Sequence, residues 1–405
     1  MKKITMALFF LLVVLFGISV FANSTSSLGN YKQAVVKANN QFAIDLYNHI
    51  NGNGNVFFSP FSIFDALSMT YAGARNETEE QMAKVLHITL PQERFHRAFS
   101  KIIEEIKSSV QKNKYTLKIA NALWGQKGFH FLNSFLSLVK NCYDGNVFSV
   151  NFYNGMETAQ KINYWVDNQT NDKIKRIIGK INPLTRLILT NAVYFKGEWS
   201  SGFATATTEP STFYVNPKQE VKVSMMYQEG KFSYMENSAL QALEMPYKGG
   251  NLSMVVLLPK NKYGIDEVEK ALSVSNLKQW FSGMREQKVK VHFPKFGLKT
   301  SYDLKNTLTS MGMSNAFSNA DFSGMDGEKD LCISKVLQKA YVEVNEKGTE
   351  AAAVTAVVTV LTCSPNYHPP EVPIFRADHP FVFFIIDKPT GVILFMGKIT
   401  KIVKN

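Results

Sequence analysis

The side chains of this chain that could do covalent or metal chemistry do not converge on a site. Its seven His residues show no metal-ligand spacing with Cys142, Cys332 and Cys363. Asp378 and His379 are adjacent, but no nucleophile is paired with them, and no glycine-rich phosphate loop follows a strand-like run. An enzyme and a resident metal are therefore not expected. The stretch with the most distinctive chemistry is 345–360, NEKGTEAAAVTAVVTV, which after Glu350 carries no charge and nothing larger than Val.

Val and Thr give this stretch strand propensity, and an exposed segment of this kind templates edge pairing. Gly348 opens it, and Pro365, Pro369 and Pro370 follow, which is the punctuation of a loop. It is either an ordinary internal strand or a loop able to become one. Most Val/Thr/Ala runs are internal strands, yet Ala351, Ala352, Ala353 and Ala356 are small for a permanently buried one. Small residues suit a strand that slides between two existing neighbours. By alternation Thr349, Ala351, Ala353, Thr355, Val357 and Thr359 share a face with no ionisable group, and Glu350 falls on the other.

Five further motifs surround it: NVFFSPFSI at 55–63, TNAVYFKGEW at 190–199, FSNADFSGM at 317–325, FRADHPFVFFI at 375–385 and GVILFMGKI at 391–399. With these blocks in order and the hinge ahead of the last two, nearly all of the mature chain resembles the serpins, a family of protease inhibitors. The resemblance implies an α+β fold with three β-sheets and about nine helices. It also implies an exposed reactive-centre loop at about 346–372 and a central sheet able to accept one more strand. A target protease would take the loop as substrate and form an acyl-enzyme at the scissile bond. The freed loop would then enter the sheet, a strand addition known for this family. The alternative is a non-inhibitory serpin acting as carrier, storage protein or chaperone. The run Thr349-Glu350-Ala351-Ala352-Ala353, with neither bulk nor charge on the entering face, favours inhibition.

The resemblance assigns further roles. Gly348 supplies hinge freedom, and Thr349, Ala351 and Ala353 enter beneath the sheet first. Glu346 pairs with Lys295 where the incoming strand breaches the sheet. Trp199 matches a Trp at that breach, although a core aromatic accounts for it equally well. Ser59, Ser62 and Asn191 match a polar shutter beneath the centre of the sheet. Gln338 stands there where many relatives carry His; it can still donate and accept, but the titrating imidazole is gone. Family spacing puts the residue before the scissile bond fourteen after Gly348, at Thr362. Thr362–Cys363 is thus the first choice, with Leu361–Thr362 and Cys363–Ser364 as alternatives. None presents Arg or Lys, so an elastase-like or chymotrypsin-like serine protease is the expected partner, with a cysteine protease also open.

Length and composition fit one large domain over 23–405, since 405 residues with 45% hydrophobic content can bury an extensive core. No linker, low-complexity tract or repeat divides it. Residues 1–22 have a signal-peptide layout: Met1-Lys2-Lys3, an apolar run to Phe21, and small residues Val20 and Ala22 before the cut. The run is short for a membrane anchor and lacks a basic flank, so a secreted, extracellular monomer is expected. Sequons at Asn23, Asn76, Asn168 and Asn251 suit that route. Three cysteines cannot form a disulfide framework.

The net charge of +12 raises polyanion binding. Arg94, Arg97, Lys101, Lys107, Lys112, Lys114 and Lys118 occupy the region where some relatives bind heparin, interrupted by Glu93, Glu104 and Glu105. A glycosaminoglycan is the only cofactor this suggests, and a solvated helix face explains the same residues. Nucleic acid is not expected, because no recognition motif accompanies the charge.

The elements that must position these residues follow from period and punctuation. Helices are expected over 31–50, from Ser59-Pro60, over 95–110 and over 158–178. Apolar runs of strand length lie at 187–195, 252–258, 289–293, 381–386 and 392–395.

Overall fold

The computed structural model describes residues 28–402, apart from 51, 53, 114, 144 and 350–370. The reactive-bond candidates Leu361, Thr362, Cys363 and Ser364, the hinge residues Glu350, Ala351, Ala352 and Ala353, Lys114, Asn23 and the leader lie outside that range.

Ser59 starts the central helix as its type dictates. Its backbone is extended, its hydroxyl accepts the Ser62 amide at 3.2 Å, and Pro60 occupies the first turn. The helix Pro60–Tyr71 is buried along its whole length, because it is threaded behind the central sheet. The helix expected over 31–50 runs from 28 to 50, and that expected over 95–110 is Gln92–Lys112.

The helix expected over 158–178 is Gly155–Gln169 and stops short. Asn171 and Asp172 turn left-handed, at φ 51° and 60°, and break it. Ile174, Ile177 and Ile178 are nevertheless buried, lying as irregular chain on the outer face of the sheet with Ile162 and Val166. Asn163 holds that chain down by accepting the amides of Ile177 and Ile178 at 2.8 and 3.0 Å. The apolar period therefore recorded burial on the sheet, not helix.

The central sheet runs in the order Phe296–Asp303, Ile333–Val344, Leu187–Glu198, Thr116–Gln126 and Asn146–Val150. Ile333–Val344 and Leu187–Glu198 are parallel neighbours, with Gln338 opposite Asn191 and Tyr341 opposite Tyr194. Each has an antiparallel partner on its other side. A strand placed between them in the reverse direction would be antiparallel to both.

Apart from Gly348–Thr349, which pairs with Leu187–Glu198, the other strands form a nine-stranded ladder. Its 18-residue strand Gln219–Glu236 serves two sheets at once. One contains Leu240–Pro246, Leu252–Pro259, Phe381–Asp387, Val392–Ile399 and Val56–Phe58; the other contains Glu209–Asn216, Arg285–Pro294 and Ile374–Arg376. With the central sheet these make the three sheets of the expected α+β fold, accompanied by ten α-helices among the described residues.

Candidate functional site: a parallel seam and its hinge

At the end of Ile333–Val344 the chain reverses in a tight turn. The Asn345 amide donates to the Gly348 carbonyl at 2.9 Å, and the Gly348 amide donates back at 3.2 Å. Gly348 has φ 139°, and a Cβ there would lie 2.2 Å from the Gly197 carbonyl oxygen. No other residue type fits this approach without moving backbone. Gly348 and Thr349 then pair antiparallel with Glu198 and Gly197, so the chain has begun to line one lip of the seam.

Trp199 fixes the turn from the facing strand. Its amide donates to the Lys347 carbonyl at 3.0 Å and its indole N–H to the Asn345 carbonyl at 3.1 Å. The indole stacks on Tyr247 with centroids 4.6 Å apart. It is thus a core aromatic that also clamps the hinge.

Lys295 Nζ lies 2.9 Å from Glu346 Oε2 and donates to Oε1 at 3.0 Å, where Thr208 also donates at 3.0 Å. Burial raises the Glu346 pKa, but the hydrogen bonds from Lys295, its own backbone and Thr208 outweigh it and leave the carboxyl below its ordinary value. Thr349 is buried with its hydroxyl 3.1 Å from that of Tyr247.

Lower in the seam a chain of amides crosses beneath the strands. Gln338 Nε2 donates to Asn191 Oδ1 at 2.7 Å and to the Ser59 carbonyl at 3.1 Å. Asn191 Nδ2 donates to Asn121 Oδ1 and to the Ser62 hydroxyl. Asn121 Nδ2 donates to Asp65 Oδ2 at 2.6 Å, and the Ser59 hydroxyl ties the set to the Leu394 carbonyl at 2.7 Å. Every amide donates toward Asp65, so the chain is polarised and ends on a carboxyl group. Burial pushes the Asp65 pKa up to about 7, against the lowering pull of the Asn121 hydrogen bond and of Lys107. Gln338 keeps the donor function that the network needs, while its Oε1 is a buried atom without a hydrogen-bond partner.

Sequence reasoning grouped Ser59, Ser62, Asn191 and Gln338 but missed Asn121 and Asp65. The available signal was a single acid in an otherwise uncharged helix, Pro60–Tyr71.

The remaining candidates lie apart from the seam. Asn168 is exposed; Asn76 is exposed but donates to Asp321 at 2.7 Å; Asn251 is half-buried and donates to Ser109 at 3.0 Å. On Gln92–Lys112, Lys101 pairs with Glu104 and Arg94 lies over the Tyr31 ring. Buried His379 is held between Asp378 and the Pro259 carbonyl, both at 2.8 Å, as a structural tie. Cys142 and Cys332 are free thiols, and no cluster of metal-ligating side chains occurs among the described residues.

A family model described as serpin (serine protease inhibitor) matches residues 37–402. The chain belongs to the serpin family. An uncharacterized serpin-like protein of Thermococcus kodakarensis is 46% identical over 91% of this chain and 85% of its own length. A leukocyte elastase inhibitor of Xenopus tropicalis is 42% identical over 88% of this chain and 96% of its own. Among solved structures, human thyroxine-binding globulin complexed with thyroxine superposes with TM-score 0.84 at 32% identity, covering 92% of this serpin and all of that chain. A thermophilic serpin, tengpin, in the native state gives 0.82 at 30% identity, over 91% of this chain and 94% of its own. Serpin family proteins are protease inhibitors rather than catalysts.

Proposed function

We propose that this serpin is a secreted suicide inhibitor of an elastase-like or chymotrypsin-like serine protease. The protease attacks the loop at or beside Thr362–Cys363, with Leu361–Thr362 and Cys363–Ser364 as the neighbouring candidates. The cleaved loop then enters the central sheet while the acyl bond still tethers the enzyme.

One observation carries this reading: Gly348 and Thr349 are docked antiparallel along one lip of a parallel seam. Continuing that pairing down the seam would replace the parallel contact between Ile333–Val344 and Leu187–Glu198 with an antiparallel neighbour for each. Roughly ten new backbone hydrogen bonds at about 0.5–1.5 kcal/mol each give a gain on the order of ten kcal/mol. Burial of Val and Thr methyls adds to it. The uncut state is then a kinetic trap. The leukocyte elastase inhibitors among the relatives and the uncharged candidate bonds support the target class. Secretion rests on the signal-peptide layout of residues 1–22.

The test is incubation with a panel of serine and cysteine proteases. Expected are a complex that survives denaturant and a C-terminal peptide whose mass fixes the cut within 361–364. The nicked molecule should also resist heat far better than the intact one. Cleavage without a stable complex or added heat resistance would refute the proposal.

A further inference from the structure

The outer face of the central sheet carries a charged row that the inhibitory cycle does not use. Lys118 lies opposite Tyr194, Tyr194 opposite Tyr341, and Tyr341 opposite Lys299, so four residues share one face in register across four strands. The two Tyr rings stack at 6.2 Å directly over the parallel seam, and Lys173 caps both at 5.6 and 5.8 Å. Lys339 is two residues before Tyr341 on the same face, and its ammonium donates to the Arg176 carbonyl.

Two of the nearby acids are committed to lysines outside the row, and the third, Glu343, lies two residues past Tyr341 on the row's own face. Asp303 pairs with Lys335, Glu198 with Lys248, and Glu343 accepts the Tyr341 hydroxyl. Among the described residues neither Lys118 nor Lys299 has an acidic partner. Burial chiefly, and then the nearby cations Lys299 and Arg176, depress the Lys339 pKa.

We propose that this row binds a compact polyanion, a multiply phosphorylated or sulfated small molecule, which bridges Lys118 and Lys299 across the seam and holds the sheet closed. Three strand spacings put the two backbone positions about 14 Å apart, and an inserted strand would widen this to about 19 Å. A ligand fitted to both sides therefore loses one side on insertion. Its differential affinity favours the uncut state and slows loop entry. That regulatory consequence rests on the insertion mechanism proposed above, whereas the binding site does not. The row is distinct from the basic helix Gln92–Lys112, whose cations lie on another element.

The experiment is calorimetric titration of the uncleaved protein at low salt with two probes, inositol hexakisphosphate and a sulfated heparin hexasaccharide. At least one is expected to bind, and the tighter of the two identifies the source of the anion. Lys118→Glu and Lys299→Glu, one on each side of the seam, should each weaken binding at least tenfold. Lys218→Glu, in the exposed turn between Glu209–Asn216 and Gln219–Glu236, should leave it unchanged, and matching unfolding temperatures would show that all three variants are folded. Loop-cleaved protein that has become heat-resistant should bind at least tenfold more weakly than uncleaved protein. Absence of binding by both probes, wild-type affinity in either seam variant, or equal affinity of heat-resistant cleaved protein would overturn the proposal. If cleavage confers no heat resistance, the insertion mechanism fails, and the uncleaved titrations still decide the site.

Discussion

Thr349 and Tyr247 meet hydroxyl to hydroxyl at 3.1 Å beneath the top of the central sheet, and both side chains are buried. Thr349, which would enter first under the proposed mechanism, therefore already occupies an inward position. An Arg at 349 must bury a guanidinium where Thr349 now packs against Tyr247, at several kcal/mol. Thr349→Arg is expected to leave the loop cleavable but to lower the yield of denaturant-stable protease complex more than tenfold. Complex yields and cleavage rates measured side by side separate the two effects; equal yields would argue against insertion.

Gly348 stands where its missing Cβ matters most. Gly348→Ala puts a methyl 2.2 Å from the Gly197 oxygen and asks Ala to hold φ 139°. The expected result is release of Gly348 and Thr349 from the sheet. Hydrogen exchange should accelerate in peptides covering 196–200 and 345–349 and stay unchanged in the buried helix Pro60–Tyr71. Unaltered exchange at the hinge would mean that the pairing is not held by this contact.

Much of the fold was legible because local chemistry and tertiary role coincided. Ser59 and Pro60 signalled a helix start, and the apolar runs at 252–258 and 381–386 became buried strands Leu252–Pro259 and Phe381–Asp387. The strands Ile333–Val344 and Thr116–Gln126 were not legible as strands. The first alternates buried Val336 and Ala340 with Lys335 and Lys339, because one face meets the core and the other meets charge and solvent. Residue identity plus resemblance was enough to join Glu346 to Lys295. Asp65 and Asn121 stayed hidden, since their contact spans 56 positions and depends on how a helix docks behind a sheet. The excess length expected after Gln169 has the same origin: packing on the sheet imitated a helical period.

Gln338 to Asn191 is a side-chain hydrogen bond that joins the two parallel lips at mid-sheet. Gln338→Leu removes the donor and leaves the buried Asn191 oxygen without it, a loss of about 1–3 kcal/mol. Strand separation should become easier. Incubated below the unfolding temperature, the variant is expected to convert several-fold faster from active monomer to inactive or aggregated forms. Size-exclusion profiles with residual inhibitory titre over time provide the measurement, and wild-type kinetics would show that the bond does not guard the seam.

Asp65 gives the cluster a pH dependence that Gln338 cannot. Its pKa rises from 3.8 to about 7 in the folded protein, so the fold prefers the protonated acid. Between these values the unfolded chain has released the proton and the folded chain retains it, so stability falls as pH rises through this window. The full effect, on the order of a few kcal/mol, is reached above pH 7. Buried His96 works in the opposite sense. Burial, then Arg75, lowers its pKa to about 3, so stability falls as acid protonates the unfolded imidazole below 6.5. The two slopes overlap between about pH 4 and 6.5 and flatten the wild-type profile. Asp65→Asn removes one of them and keeps an oxygen to accept from Asn121. The stability of the variant relative to wild type is therefore expected to climb steadily from pH 4 to 7 and then level off. Denaturant midpoints of the uncleaved proteins at pH 4, 5.5 and 7.5 measure it. A difference that stays constant across these three values would mean that Asp65 ionises in the folded protein as readily as in the unfolded chain.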